Sequence, residues 1–421
     1  MNNKSENKIL VKGGFPLRGK VVLQSSPTLS CFLTTLMLIC RTKVELRGDF
    51  LDNLVSDYIH LLNNSGFNIK NNVDSLQILE PFNINDCSYS GNLDLSHKFL
   101  YILSLAEKGY VEIKSNEELI DFFKYLGFVI EEKNKVSKVY NKLATDRESI
   151  TFYKMNEEYF LLAILAFMLN KKQFSISMSD STYEIILLLE ELKQYGVVKE
   201  ISYGNFINIQ FDMSELDHKF TKEITVPKDS NEFVFFALCA IATNGEVEIQ
   251  GINPKHLASS LKIFSEVGAG YDSLSTESMK IWGSHSSDLK SLNISETGGY
   301  LNLTKLGILP ILSVSQKLDG VSKISLEVET YKSLIRDINR LGCTINVEDS
   351  YVSCTSQGKV KDGKIYMEEH KEIDNYVRLL ASLLSTEQIE IYDFSYLSYI
   401  NNNIFKKLLD LGAKIEYIEE V

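Results

Sequence analysis

Glu329 and Lys332 stand three residues apart, so a helix would bring an acid and a cation onto one face, either as a proton-transferring pair or as a surface ion pair. Ser26, Thr28 and Ser30 put three hydroxyls at the start of an apolar run. Such hydroxyls either meet a ligand or satisfy backbone groups at a strand-to-helix turn. Glu369, His370 and Lys371 join an acid, a titratable ring and a cation, and Ser90 and Gly91 close the stretch DCSYSG at 86–91. The six cysteines, at 31, 40, 87, 239, 343 and 354, contain no C-x-x-C pair, which argues against a zinc site and a disulfide framework. They read as reduced core residues, and neither a metal nor a cofactor is expected.

The chain carries 44 basic and 56 acidic residues for a net charge of -12, and no basic cluster with interleaved aromatics interrupts it. Nucleic acid is therefore not an expected partner, whereas a small anion in a local basic cleft or a protein partner remains open. The longest apolar run, Leu29 to Cys40, is too short to span a membrane and reads as a buried helix. The first eight residues lack the apolar core of a signal peptide, so a cytoplasmic protein is expected.

The elements that must position these residues follow a repeat. An amphipathic helix, a glycine and a β-rich tail recur six times, at Gly66, Gly127, Gly196, Gly268, Gly342 and Gly412, roughly 70 residues apart. Before each such helix the periodicity predicts an apolar helix and a short alternating strand such as YVEIKS or GEVEIQGI. Each cassette is too small to bury its own sheet, and its mixed α and β content is unlike that of helical solenoids. Three cassettes closing around their apolar helices make one globe, so six make two. The expected domains are 20–220, and 1–19 together with 221–421, with the strand at Ile9 to Val11 joining the second. A cleft between two domains is a preferred ligand position.

This cassette count resembles the enolpyruvyl transferase superfamily, whose members include EPSP synthase and the UDP-N-acetylglucosamine enolpyruvyl transferase. Four stretches are similar to EPSP synthase in order and spacing. GKVVLQSSPTLSCFL at 19–33 sits where those enzymes carry S-K-S-x-S-x-R, and DCSYSG at 86–91 where they carry D-C-G-N-S-G. ITVPKDSNEFVFF at 224–236 resembles V-P-G-D-x-S-S-A-A-F-F, and LGILPILSV at 306–314 stands at the P-D-x-x-P segment. IKSNEEL at 113–119 leaves no room for the cysteine-bearing loop of the cell-wall relative. The resemblance implies an α/β fold of two inside-out α/β barrel domains built from six βαβαββ-type repeats. It also implies transfer of the enolpyruvyl group of phosphoenolpyruvate to the hydroxyl of shikimate 3-phosphate.

That transfer needs cations to gather two anions, a base for the hydroxyl and an acid for the methylene carbon. The resemblance implies that Ser26, Thr28, Ser30, Ser90 and Gly91 bind substrate. At the cationic positions, however, stand Pro27, Phe32 and Leu95, and the carboxylate that acts on the hydroxyl falls on Gly307. The K-E-S/T-D-R segment reads as LEVET ungapped, or as VETYK with a two-residue slip that makes Glu329 the acid and Lys332 the cation. D-H-R falls on KEI ungapped, or on Glu369, His370 and Lys371 with a similar slip, which makes His370 and Lys371 substrate ligands. Pro27, Phe32, Leu95 and Gly307 are expected to line the ligand cleft. The implied reading is a degenerate paralogue kept for binding or assembly; the alternative is an active carboxyvinyl transferase with an altered acceptor.

Overall fold

The computed structural model describes residues 8–42, 45–50, 52–72, 74–79, 95–114, 116–133, 136–144, 148–153, 157–171, 173–179, 183–214, 223–283, 290–294, 302–314, 320–355, 359–369 and 371–418. They form two compact units: unit A is residues 25–227, and unit B is residues 1–24 with 228–421.

Two strands, β1 (Lys8–Lys12) and β2 (Arg18–Val22), precede the first cassette. Unit A begins with α1 (Pro27–Ile39), β3 (Glu45–Arg47), α2 (Asn53–Asn64), β4 (Ile69–Asn71) and β5 (Ser75–Ile78). Its second cassette is α3 (Leu95–Lys108), β6 (Tyr110–Lys114), α4 (Glu117–Leu126), β7 (Phe128–Lys133) and β8 (Val136–Leu143). The third is β9 (Ser149–Phe152), α5 (Glu157–Met168), β10 (Gln173–Met178), α6 (Tyr183–Gln194), β11 (Val198–Tyr203) and β12 (Ile207–Asp212). A last short strand, β13 (Ile224–Thr225), ends unit A.

Unit B continues with α7 (Ser230–Ala242), β14 (Glu246–Gln250), α8 (Ala258–Glu266), β15 (Gly270–Ser275) and β16 (Ser278–Trp282). Then come β17 (Asn293–Ile294), α9 (Asn302–Val314), β18 (Ser322–Ser325), α10 (Val328–Arg340), β19 (Ile345–Val347) and β20 (Tyr351–Cys354). The sixth cassette is β21 (Gly363–Tyr366), α11 (Glu372–Leu383), β22 (Gln388–Tyr392), α12 (Ser395–Ile400), α13 (Ile404–Asp410) and β23 (Lys414–Ile418).

The first helix of each cassette sits inside. In unit A, α1, α3 and α5 touch one another, and in unit B so do α7, α9 and α11. Helix α5 is buried from Tyr159 to Met168 and α7 from Phe233 to Ile241, the pattern of helices with no wet face. The second helices are amphipathic and end at the repeated glycines. Gly66, Gly127, Gly196, Gly268, Gly342 and Gly412 all have φ between 72° and 103°, a left-handed conformation that only glycine adopts without strain. A second repeated device fixes the strand that follows. The Asn63 side chain bonds both the N–H and the C=O of Ile69, at 2.8 and 3.1 Å, and Asn339 does the same to Ile345, at 2.9 and 2.7 Å.

Each cassette contributes one sheet. Before α5, α9 and α11, a leading strand pairs in parallel with the strand after the helix, giving β9 with β10, β17 with β18 and β21 with β22. At the two linkers this partnership is exchanged. Strand β2 leads into α1 of unit A but pairs with β14 of unit B, and β13 leads into α7 of unit B but pairs with β3 of unit A. The unit boundaries therefore fall at 24/25 and 227/228, beyond the expected 19/20 and 220/221. Strand β1 lies between β22 and β23, antiparallel to both, and supplies the hairpin strand that the sixth cassette lacks.

Cys31, Cys40, Cys239, Cys343 and Cys354 are buried, and Cys87 lies outside the described residues. No helix among the described residues is long and apolar enough to cross a membrane.

One buried acid makes stability depend on pH. Asp52 caps α2 by accepting the Val55 N–H at 2.7 Å, while its Oδ2 has no partner among the described residues. Burial pushes its carboxyl up to about 7, with the charge of Asp49 adding to the effect. The folded state thus holds this proton more tightly than the unfolded chain, so the contribution of this group to stability is fully present below about pH 4 and is lost as pH rises through about 7. Asp52→Asn keeps the acceptor for the cap and removes the buried charge. Thermal melts should show the variant similar to the parent at pH 4 and more stable at pH 8, by up to roughly 4 kcal/mol. A difference that does not change with pH would contradict this.

Candidate functional site

In unit A the hydroxyl motif opens α1. Ser26 is the N-cap, its Oγ accepting the Leu29 N–H at 3.4 Å, and Ser30 Oγ donates to the Ser26 carbonyl at 2.8 Å. Thr34 and Thr35 repeat that contact one turn on, each donating to the carbonyl four residues back at 2.7 Å. Ser26 and Ser30 are buried and Thr28 is half-buried, so the motif's Ser26 and Ser30 serve the helix backbone. Lys98 of α3 is engaged by Glu158 at 2.6 Å and lies over the Tyr159 ring.

In unit B three helix starts carry the titratable groups. At α7, Asp229 is the N-cap and accepts the N–H groups of Asn231 and Glu232 at 2.8 and 3.1 Å. Glu232, 0% exposed, is saturated: Oε2 accepts the Gln24 N–H at 2.7 Å, while Oε1 accepts from Asn401 at 2.9 Å and from Lys407 Nζ at 2.6 Å. Gln24 in turn donates its side-chain amide to the Ile400 carbonyl. The neighbouring Tyr376 hydroxyl is pushed well above its ordinary range by burial, then by the charges of Asp229, Glu372 and Glu232.

At α11, Lys371 is the exposed N-cap residue and makes no side-chain cap. Below it Arg378, 1% exposed, is held by Asp337 at 3.0 Å, by Glu368 and by Asn375 Oδ1 at 3.3 Å. Asn375 also ties down Glu368, accepting its N–H at 3.0 Å and donating to its carbonyl at 2.7 Å. Burial raises the Asp374 carboxyl pKa, against the opposing charges of Arg378 and Lys371. Tyr331 is pushed up to about 12 by burial and by the charges of Asp374 and Glu327. At α10, Glu329 and Lys332 meet each other at 2.9 Å with both side chains largely exposed.

The starts of α7, α10 and α11 thus carry Asp229, Glu232, Glu327, Glu329, Glu372 and Asp374 against Lys228 and Lys371, while the first turn of α9 carries the buried Lys305. A helix N-terminus attracts anions through its free N–H groups and dipole; at α7 the chain's own carboxylate takes two of those N–H groups. Among the described residues no cluster of histidine, cysteine, aspartate and glutamate is arranged to hold a metal ion. Ser90, Gly91 and His370 lie outside the described residues.

Two residues expected to line a ligand cleft do not. Phe32 is 0% exposed and packs on Phe99 with ring centroids 6.4 Å apart. Gly307 lies inside α9, where an added Cβ would collide with the Leu238 side chain and press on Leu380 at 3.4 Å. Both positions face the three-helix core because the neighbouring first helices close over them. Lys305 is buried on the same helix, and Pro27 is half-buried at the first position of α1. Sequence reasoning passed over Glu232, Arg378, Asn401 and Lys407. The available signal was a charged residue in an apolar run, as in NEFVFF and YVRLLASLL. Restoring charge at the two buried positions, by Phe32→Arg or Gly307→Asp, should each cost about 3–5 kcal/mol in denaturant titrations, or prevent folding. A variant of parental stability would show that the position is open to solvent.

A sequence profile described as EPSP synthase (3-phosphoshikimate 1-carboxyvinyltransferase) matches residues 116–418. Among solved structures, the enolpyruvyl transferase NikO from Streptomyces tendae superposes with a TM-score of 0.79 at 12% identity, over 99% of this chain and 100% of that one. EPSP synthase from Acinetobacter baumannii superposes with a TM-score of 0.73 at 14% identity, over 98% of this chain and all of that one. A second structure of that enzyme gives 0.73 at 15% identity. No curated protein sequence matches significantly. These likenesses establish the two-barrel α/β fold, and with the profile covering well over half of the residues, the chain belongs to the EPSP synthase family.

Proposed function

We propose that the protein is a cytoplasmic, degenerate member of this family, which keeps the scaffold for binding or assembly and has lost enolpyruvyl transfer. The observation that carries this reading is the charge at the starts of α7, α10 and α11, where carboxylates outnumber lysines and the buried Glu232 is held by three donors of the protein itself. Transfer from phosphoenolpyruvate to shikimate 3-phosphate has to gather two multiply charged anions, and electrostatic donors aimed at developing charge are its largest source of acceleration. Each such donor lost removes about 2.7–4 kcal/mol of transition-state stabilisation. Asp337 and Glu368 both take Nη2 of the buried Arg378, whose Nε has no partner among the described residues. The residue standing for the base is Gly307, enclosed in α9.

The second reading is an active carboxyvinyl transferase with an altered, less anionic acceptor. It is supported by full-length likeness to NikO, described as an enolpyruvyl transferase, and by the exposed Lys371 at the start of α11. Under it Glu329 and Lys332 act as acid and cation, while Ser26, Thr28, Ser30, Ser90, Gly91, His370 and Lys371 hold the substrates. A coupled assay of phosphate release from phosphoenolpyruvate and shikimate 3-phosphate separates the readings. No release above the protein-free control is expected. Turnover near the typical enzyme value of about 10 per second would contradict the proposal, and release that requires a different hydroxyl acceptor would establish the second reading.

A further inference from the structure

Helix α10 carries Lys332, Arg336 and Arg340 at four-residue intervals, with 60%, 63% and 70% of the respective side chains exposed. On a chain of net charge -12 this is a local concentration of positive charge. The three cations, with Ile335, Asn339 and Val347, line a shallow groove of about 440 Å³. The nearby carboxylates offset it only in part. Glu329 pairs with Lys332 but is itself 81% exposed, so water screens the contact. Asp337 serves three guanidiniums at once: its shortest contact, 3.0 Å, goes to the buried Arg378, leaving Arg340 at 3.5 Å and Arg336 at 3.8 Å.

The other wall of the groove is a strand edge. Strand β19 is outermost in the sheet ordered β17-β18-β20-β19. The Asn339 side chain already holds the outward N–H and C=O of Ile345. Antiparallel pairing alternates, so Asn346 faces β20 and Val347 is the next residue to direct its N–H and C=O outward. Unpaired strand edges are templates for an added strand.

The two walls share a spacing. Cations four residues apart on a helix recur about every 6 Å along its axis. Alternate side chains of an extended chain recur about every 6.6 Å on one face. An extended segment with an acid at every second residue therefore meets all three cations in register.

We propose that this groove docks an extended acidic segment of a partner protein, with its carboxylates on Lys332, Arg336 and Arg340 and its main chain against Val347. The inference rests on the first reading of function, because the second gives Lys332 to the substrate.

The test uses the full chain and a short fluorescein-labelled peptide of alternating glutamate and serine, read by fluorescence anisotropy. Saturable binding is expected, weakened as salt rises from about 0.05 to about 0.3 M. The triple reversal K332E/R336E/R340E should weaken it at least about tenfold. The milder pair R336Q/R340Q, with circular dichroism melts as the fold control, should weaken it in the same direction. A peptide of the same composition with its glutamates contiguous should bind several-fold less well. Absence of binding, equal binding of the two peptides, or binding indifferent to a folded variant would each overturn the proposal. So would sedimentation showing that the groove instead holds a second copy of this chain, with a dimer that the reversal dissociates.

Discussion

The carboxylate of Glu232 is the contact on which unit B is assembled. It is buried and accepts from the backbone of Gln24, from Asn401 and from Lys407, so one group joins the linker after β2, the start of α7 and the α12–α13 corner. A buried charge is tolerated only when its lone pairs are fully used, and removing one partner of such a set typically costs about 3–5 kcal/mol. The exchange of β2 for β13 brings Gln24 to that carboxylate, because β2 is held on β14 and the chain leaves it directly above α7. The same contact places negative charge at a helix start that would otherwise attract an anion.

A similar economy governs α11. Arg378 is a cation of the kind that anion-binding enzymes use, yet its guanidinium is turned inward to Asp337 and Glu368. Asn375 then fixes the backbone of Glu368, so the segment leading into α11 is held by polar contacts belonging to the protein itself. On the exposed face of α10 positive charge sits beside a strand edge.

Much of the fold was legible in the sequence for a local reason. The six glycines end amphipathic helices in the left-handed conformation, and both the period of the helix and the glycine are visible in a single stretch of chain. The joining of the first residues to the second domain was legible too, but the exact linker residues were not, because β2 and β13 choose partners more than 170 residues away. The candidate site was less legible still. Alignment could place Phe32 and Gly307 at family positions, but their burial is decided by Phe99 and by Leu238, which other cassettes supply. Glu232 and Arg378 showed only as charges in apolar runs; their partners lie on other elements, and Lys407 is 175 positions from Glu232.

The proposed loss of transfer requires that the carboxylate-rich helix starts do not gather phosphoenolpyruvate. Isothermal titration of the full chain with phosphoenolpyruvate, alone and then with shikimate 3-phosphate present, tests it most directly. The account predicts no saturable heat up to about 1 mM ligand under either condition. A dissociation constant near or below about 10 μM, tightened by shikimate 3-phosphate, would contradict it and show that cations converge on the substrates.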